Sequence, residues 1–247
     1  MNTLLNGFAP ISLDEMNGVK LMNRTDTKFV TTTDKLLQLL LLAQQDYYVQ
    51  QIDGLRIADY DTTYFDTERY DMYNQHQVNH TNRQKLRFRN YVGSHLQFME
   101  VKTKNNHGRT RKKRIEVSDM NIGDEAKRDF LSRHLQYDSR TLMPTLNNRF
   151  RRITLVNKGK TERLTIDTEL TFHNLVTGTT LDMGPLVIIE LKRDGMVCSP
   201  ILETLRQLHI HPHGYSKYCM GSVLTNSHLR VNRFKRKLIE INKLLTH

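Results

Sequence analysis

Cysteine is nearly absent from this chain: Cys198 and Cys219 are the only two, and neither sits in a C-x-x-C pair. That excludes a disulfide framework, so both are read as reduced thiols. Long apolar runs are missing too. The longest, Leu36–Ala43, is broken by Gln38 and falls far short of the ~20 residues that span a bilayer. Met1–Pro10 lacks the basic start of a signal peptide. A soluble, cytoplasmic protein is the expectation. No G-x-x-x-x-G-K-[ST] is present, which speaks against a P-loop kinase, and no G-x-S-x-G, which speaks against an α/β-hydrolase. Acidic residues are the other scarcity: 26 Asp and Glu stand against 37 Lys and Arg, a formal charge of +11. Such an excess calls for a polyanionic partner without choosing among nucleic acid, anionic membrane and phosphate metabolites. Hydrophobic residues make up 38%, below the usual ~45–50%. Strand and helix patterns nevertheless recur from end to end, and no repeat or low-complexity linker interrupts them. One domain over residues 1–247, with its core at about 20–245, is expected.

The charges are placed with a period of two. Arg24, Asp26 and Lys28 fall on one side of a strand, and Asp59–Asp66 is a Thr- and Tyr-rich strand. In Arg83–Tyr91 the cations take odd positions, while Leu86 and Phe88 take even ones. Phe98, Glu100 and Lys102 share a face, and after a loop at Asn105–Gly108 a very basic strand returns over Arg109–Val117. Arg149–Leu155, Arg163–Phe172 and Leu186–Leu191 supply further strands. Thr31–Gln45, Asp124–His134, Pro200–Leu208 and Asn232–Leu245 carry helical spacing, the last amphipathic and basic. Seven or eight strands with few βαβ alternations predict an α+β fold, an antiparallel barrel or sandwich.

Between Arg83 and Arg114 the only carboxylate is Glu100. Alternating charge on a solvated sheet edge is ordinary, but here the same doublet recurs on separate strands: Arg24/Lys28, Arg87/Arg89, Glu100/Lys102, Arg163 and Glu190/Lys192. Several strands sharing one charged interior would repel themselves unless an anion filled it, so a tunnel for a polyphosphate-like ligand is implied. Glu190, in the apolar strand Val187–Lys192, must meet a cation. That partner is either a hard divalent ion shared with phosphate or simply an ion-pair cation, Lys192 or one across strands.

In order along the chain, Arg24-x-Asp26-x-Lys28, Tyr64-Phe65-Asp66-Thr67, Leu86-Arg87-Phe88-Arg89-Asn90-Tyr91, Glu100-x-Lys102, Arg163–Asp167, Ile189-Glu190-Leu191-Lys192 and Ser216-Lys217-Tyr218-Cys219-x-Gly221 resemble the VTC (vacuolar transporter chaperone) polyphosphate polymerase domain, of the triphosphate tunnel metalloenzyme superfamily. The resemblance implies an eight-stranded antiparallel β-barrel with flanking helices. It also implies an ATP-polyphosphate phosphotransferase that passes the ATP γ-phosphate to a growing polyphosphate chain, with Mn²⁺ or Mg²⁺. Carried over, Lys28, Arg87, Arg89, Lys102, Arg152, Arg163 and Lys217 hold the reacting phosphates, and Glu190 binds the metal. Arg24, Lys85, Lys112, Arg114, Lys192 and Ser216 add substrate contacts. Arg149 or Arg151 would replace Arg152, and Lys113 would replace Lys112, if the register shifts by one. The superfamily's hydrolases carry E-x-E-x-K on their first strand where this chain has Arg24-Thr25-Asp26-Thr27-Lys28. The loss of a carboxylate favours transfer to phosphate over transfer to water. The fungal polymerase's phosphate-sensing domain and the membrane spans of related subunits have no counterpart here, so a stand-alone, bacterial-type form is expected, with a membrane-protein partner left open.

Other constellations weigh less. His209-Ile210-His211-Pro212-His213 reads as a turn rather than a metal site. Ser216-Lys217 reads as ordinary strand or turn rather than a nucleophile pair, and the basic C-terminal helix as a solvated face. The rival functions are a tripolyphosphate or nucleoside-triphosphate hydrolase on the same barrel and a non-catalytic polyanion binder. Nucleic acid is disfavoured because only Phe88 and Tyr91 interleave with the cations.

Overall fold

A computed structural model describes residues 1–17, 24–106, 110–195 and 197–246, the side chains of Asn17 and Arg24 excepted. Its strands are β1 (Ala9–Ile11), β2 (Arg24–Thr32), β3 (Tyr47–Gln50), β4 (Ala58–Thr67), β5 (Arg83–Tyr91), β6 (Leu96–Lys104), β7 (Thr110–Glu116), β8 (Leu142–Asn157), β9 (Glu162–Asn174), β10 (Thr180–Asp182) and β11 (Leu186–Asp194). The helices are α1 (Asn2–Asn6), α2 (Leu13–Asn17), α3 (Thr33–Ala43), α4 (Asp71–Gln77), α5 (Glu125–His134), α6 (Pro200–Gln207), α7 (Lys217–Thr225) and α8 (Lys235–Thr246). The predicted α+β class and antiparallel sheet are present. Eight strands form its main path in the order β2-β11-β9-β8-β4-β5-β6-β7, with β1, β3 and β10 paired outside it.

The sheet curls. β6 lies six places from β2 along that path, about 29 Å if the sheet were flat. Unit charges so far apart are screened from one another. Lys102 of β6 is nevertheless close enough to Lys28 of β2 and Glu190 of β11 for both to alter its ionisation. The two wings therefore face each other across a bore. Among the described residues the ring is not closed by backbone pairing between β2 and β7. The free edge of β2 is instead capped by the histidine-rich turn: Phe29 bridges to Pro212, and the His213 N–H donates to the Lys28 carbonyl at 2.7 Å.

Apolar packing sits outside the curl and at one end of it. On one flank α3 and α6 cover the outer faces of β8, β9 and β11 through Leu36, Leu40, Ile201, Ile153, Leu164 and Ile189. On the other, Phe130 and Leu131 of α5 cover Leu86, Phe88, Met99 and Val101. A third cluster fills one end of the bore, where α7 packs on Val30, Tyr64, Leu146, Phe172 and Ile188. Period-two alternation thus sends the apolar residues of β5 and β6 outward to α5 and leaves Arg87, Arg89, Glu100 and Lys102 facing in. Among the described residues no helix is long and apolar enough to cross a membrane.

Candidate active site

Register settles which cations share the bore. Lys28 pairs with Glu190, Lys192 with Arg163, Arg87 with Glu100, and Lys85 with Lys102. Lys102 and Glu100 in turn stand opposite Lys112 and Arg114. Arg152 lies beside Asp167. The open register choices thereby resolve: Arg152 faces in, while Arg149, exposed, pairs with Asp61, and Arg151, half-buried, pairs with Asp59 and Glu169. Lys112 and Arg114 face in, and Lys113, opposite core Val101, faces out. The backbone of Arg24 pairs with Asp194, and its side chain lies outside the described residues.

Ser216 and Lys217 correct the strand-or-turn reading. They open helix α7, with Ser216 as N-cap: its hydroxyl accepts from the Cys219 N–H at 3.2 Å and from Lys85 Nζ at 2.8 Å. Lys217, at the first helical position, donates to Asp167 Oδ2. The α7 N-terminus thereby joins the β5 and β9 walls. The close packing that allows this depends on Gly221, where a Cβ would stand 2.5 Å from Phe172 and 2.7 Å from Leu146.

Three bore carboxylates answer two cations each. Glu100, fully buried, takes Arg87 at 2.6 Å on one oxygen and Lys112 at 3.0 Å on the other. Burial opposes its ionisation, yet Arg87, Arg89 and Lys112 hold it at about 2. Asp167 takes Arg152 through Nε at 2.6 Å and Nη2 at 2.8 Å, besides Lys217. Against its burial these two cations keep it well below the usual carboxylate range. Glu190 accepts from Lys28 at 3.0 Å and Lys192 at 3.2 Å, so the ion pair foreseen with Lys192 and the one foreseen across strands are both present. Despite burial, Lys28 and Lys192 hold Glu190 far down.

Among the described residues Arg89, Lys85 and Lys102 form no salt bridge with a carboxylate. Arg89 is only 7% exposed, and its Nε reaches no more than the Thr62 hydroxyl at 3.5 Å. Burial, then Arg87 and Arg152, lower its pKa. Lys85 is pushed down by burial, and Lys102 is pushed down to about 7 by burial and then by Lys28 and Lys85. Rings complete the wall. Arg152 lies 4.8 Å from the Tyr60 centroid and 5.2 Å from that of Phe150, and Lys217 lies 4.5 Å from Phe150. Arg89 stands 5.3 Å from Tyr60 and Arg114 stands 4.5 Å from Phe98.

The sequence reading puts Glu100 on the charged face without giving it a role and passes over Asp167 as a site member, although the period-two spacing from Arg163 reaches it. It also passed over Asp66, fully buried at the end of β4. Asp66 accepts the Thr67, Met72 and Tyr73 N–H groups at 2.7–2.9 Å and the Tyr218 hydroxyl, tying α4 to α7 beside Lys217.

For a metal ion, no cluster of three or more His, Cys, Asp or Glu exists among the described residues. Mg²⁺ and Mn²⁺ need only one or two carboxylates where phosphate oxygens complete the shell. Glu190 fits as that single donor: it is ionised, its side chain is 17% exposed, and its present partners are ammonium groups that phosphate would draw off.

The model of the VTC domain family matches residues 23–226. The chain belongs to that family. No curated protein matches this VTC domain. Solved structures similar to it include a Vibrio parahaemolyticus protein described as a candidate adenylate cyclase, 12% identical, covering 81% of this chain and 99% of that one at a TM-score of 0.47. A Hippeastrum protein, described as a candidate adenylyl cyclase with a dominant triphosphatase activity, is 18% identical over 83% of this chain and 97% of that one, with a TM-score of 0.46. A Pyrococcus horikoshii protein is 12% identical over 81% and 98%, with a TM-score of 0.45.

Proposed function

We propose that this VTC domain is a polyphosphate polymerase of the triphosphate tunnel type. ATP places its triphosphate in the bore, and the γ-phosphoryl group passes to the terminal phosphate of a polyphosphate chain. The observation that carries the reading is Arg89. A guanidinium left 93% buried between Arg87 and Arg152 without a carboxylate of its own among the described residues costs several kcal/mol, and a polyanion is the ligand that relieves it.

Phosphoryl transfer needs positioning and charge neutralisation more than a base, because a terminal phosphate is already anionic near neutrality. Arg87, Arg89 and Arg152 offer planar forks for phosphate oxygens. Lys28, Lys85, Lys102, Arg163, Lys192 and Lys217 add charge around them, with Lys112 and Arg114 on the far wing and Ser216 aiming Lys85. Glu190 would hold Mn²⁺ or Mg²⁺, which would neutralise charge on phosphate oxygens. Glu100, Asp167 and Glu190 are engaged by lysines and arginines, which supports transfer over hydrolysis.

Incubation with ATP and Mn²⁺, followed by gel analysis, tests this. A ladder of phosphate chains is expected, and R89A and K217A should abolish it while circular dichroism stays native. Free phosphate without a ladder would make the protein a hydrolase, and unchanged ATP a binder. If R89A retains full rate, the site assignment fails.

A further inference from the structure

The two ends of the bore are finished differently. Toward α7 the lining turns apolar and solid, through Val30, Leu146 and Ile188. The opposite end finishes in rings on three adjacent strands: Tyr60, Tyr91 and Phe98, each partly exposed. Tyr60 and Tyr91 centroids are 5.0 Å apart at 57°, and Tyr91 meets Phe98 edge-on at 5.9 Å. Tyr60 is accounted for, since Phe150 stacks on it and Arg89 and Arg152 approach it. Among the described residues Tyr91 holds no cation, and Phe98 carries Arg114 at its face. A bore built for inorganic phosphate has no use for half-exposed aromatic surface at its mouth.

We propose that Tyr91, Phe98 and Arg114 form a stacking platform for the base of a nucleoside triphosphate whose phosphates occupy the bore. The proposal rests on the reading of the bore as an anion site. Geometry favours the assignment: Tyr91 stands on the same face of β5 as Arg89 and Arg87, two and four residues beyond them, about 7 and 14 Å along the strand. A triphosphate gripped by those arginines has its nucleoside end at the rings. Aromatic faces and an arginine plane hold any base by its π-surface. Purine nucleotides should therefore bind more tightly than pyrimidine ones, with little discrimination between adenine and guanine.

Calorimetric titration with ATP and with tripolyphosphate separates base from phosphate. In Y91A and F98L, ATP binding should weaken about tenfold, tripolyphosphate binding should stay within about twofold because the rings touch no phosphate, and F98Y should behave as wild type. Equal losses for both ligands, or no loss for either, overturn the platform alone. A wild-type protein that binds neither ligand overturns the bore reading and the platform with it.

Discussion

Lys102 sits among Lys28, Lys85 and Arg87, and burial followed by Lys28 and Lys85 presses it down to about 7. In the ligand-free protein it loses its proton as pH rises through that value, whereas an unhindered lysine keeps one to ~10.4. The fold therefore bears the strain of the charged form below about 7 and is relieved above it. A bound polyanion stabilises the ammonium and lifts the pKa back, so binding between those limits must take up a proton. ATP titrated at about pH 8.5 in two buffers of different ionisation enthalpy should show that uptake, and K102R, charged throughout, should lose it. Equal apparent heats for the wild type in both buffers would remove Lys102 from the binding surface. Residues such as this were legible beforehand because side-chain alternation is local, so doublets such as Arg87/Arg89 and Glu100/Lys102 declare a face without knowledge of the neighbours. Asp167 was harder, since its meaning comes from Lys217, fifty residues later.

At the level of elements, α7 is where local pattern and tertiary context part. Its sequence KYCMGSVLT holds a mid-helix glycine and β-branched residues, a poor helix on propensity alone, so the segment reads as strand or turn. Packing overrides this: Ser216 caps the helix, Asp66 holds the Tyr218 hydroxyl, and Gly221 allows the helix to sit on Phe172 and Leu146. G221A would push a methyl group into two core side chains. The expected loss is about 1–3 kcal/mol in denaturant unfolding. Because the displaced helix carries Lys217 out of reach of Asp167, tripolyphosphate binding should fall by more than the unfolded fraction explains. Unchanged affinity in the folded fraction would mean that the seating of α7 does not set the position of Lys217. The long strands were legible from alternation, although β8 and β9 run further than expected, to Leu142–Asn157 and Glu162–Asn174. Their added ends carry fewer charges and are fixed by pairing with β4, β10 and each other.

On the scale of the molecule, the curl gathers part of the cationic excess behind a net charge of +11 into the interior. Sequence could announce the excess and its period but not the closure, because nothing local specifies that β6 faces β2. The wings of the sheet meet across a chamber where Glu100, Asp167 and Glu190 are already committed, leaving Arg89, Lys85 and Lys102 depressed by burial and by neighbouring cations. A ligand that enters this chamber stabilises the fold by mass action, about 2.7 kcal/mol at a hundredfold excess over Kd. For a chain of this size that corresponds to a Tm rise of about 5–10 °C. Tripolyphosphate should produce the rise at concentrations where orthophosphate produces little, since a single phosphate spans only part of the bore. Sodium chloride at matched ionic strength should give a smaller, non-saturating change, because small ions screen exposed charge but bridge nothing across the wings. An equal shift from sodium chloride would place the responsible cations on the outside of the protein and remove the physical basis for a phosphate-filled bore.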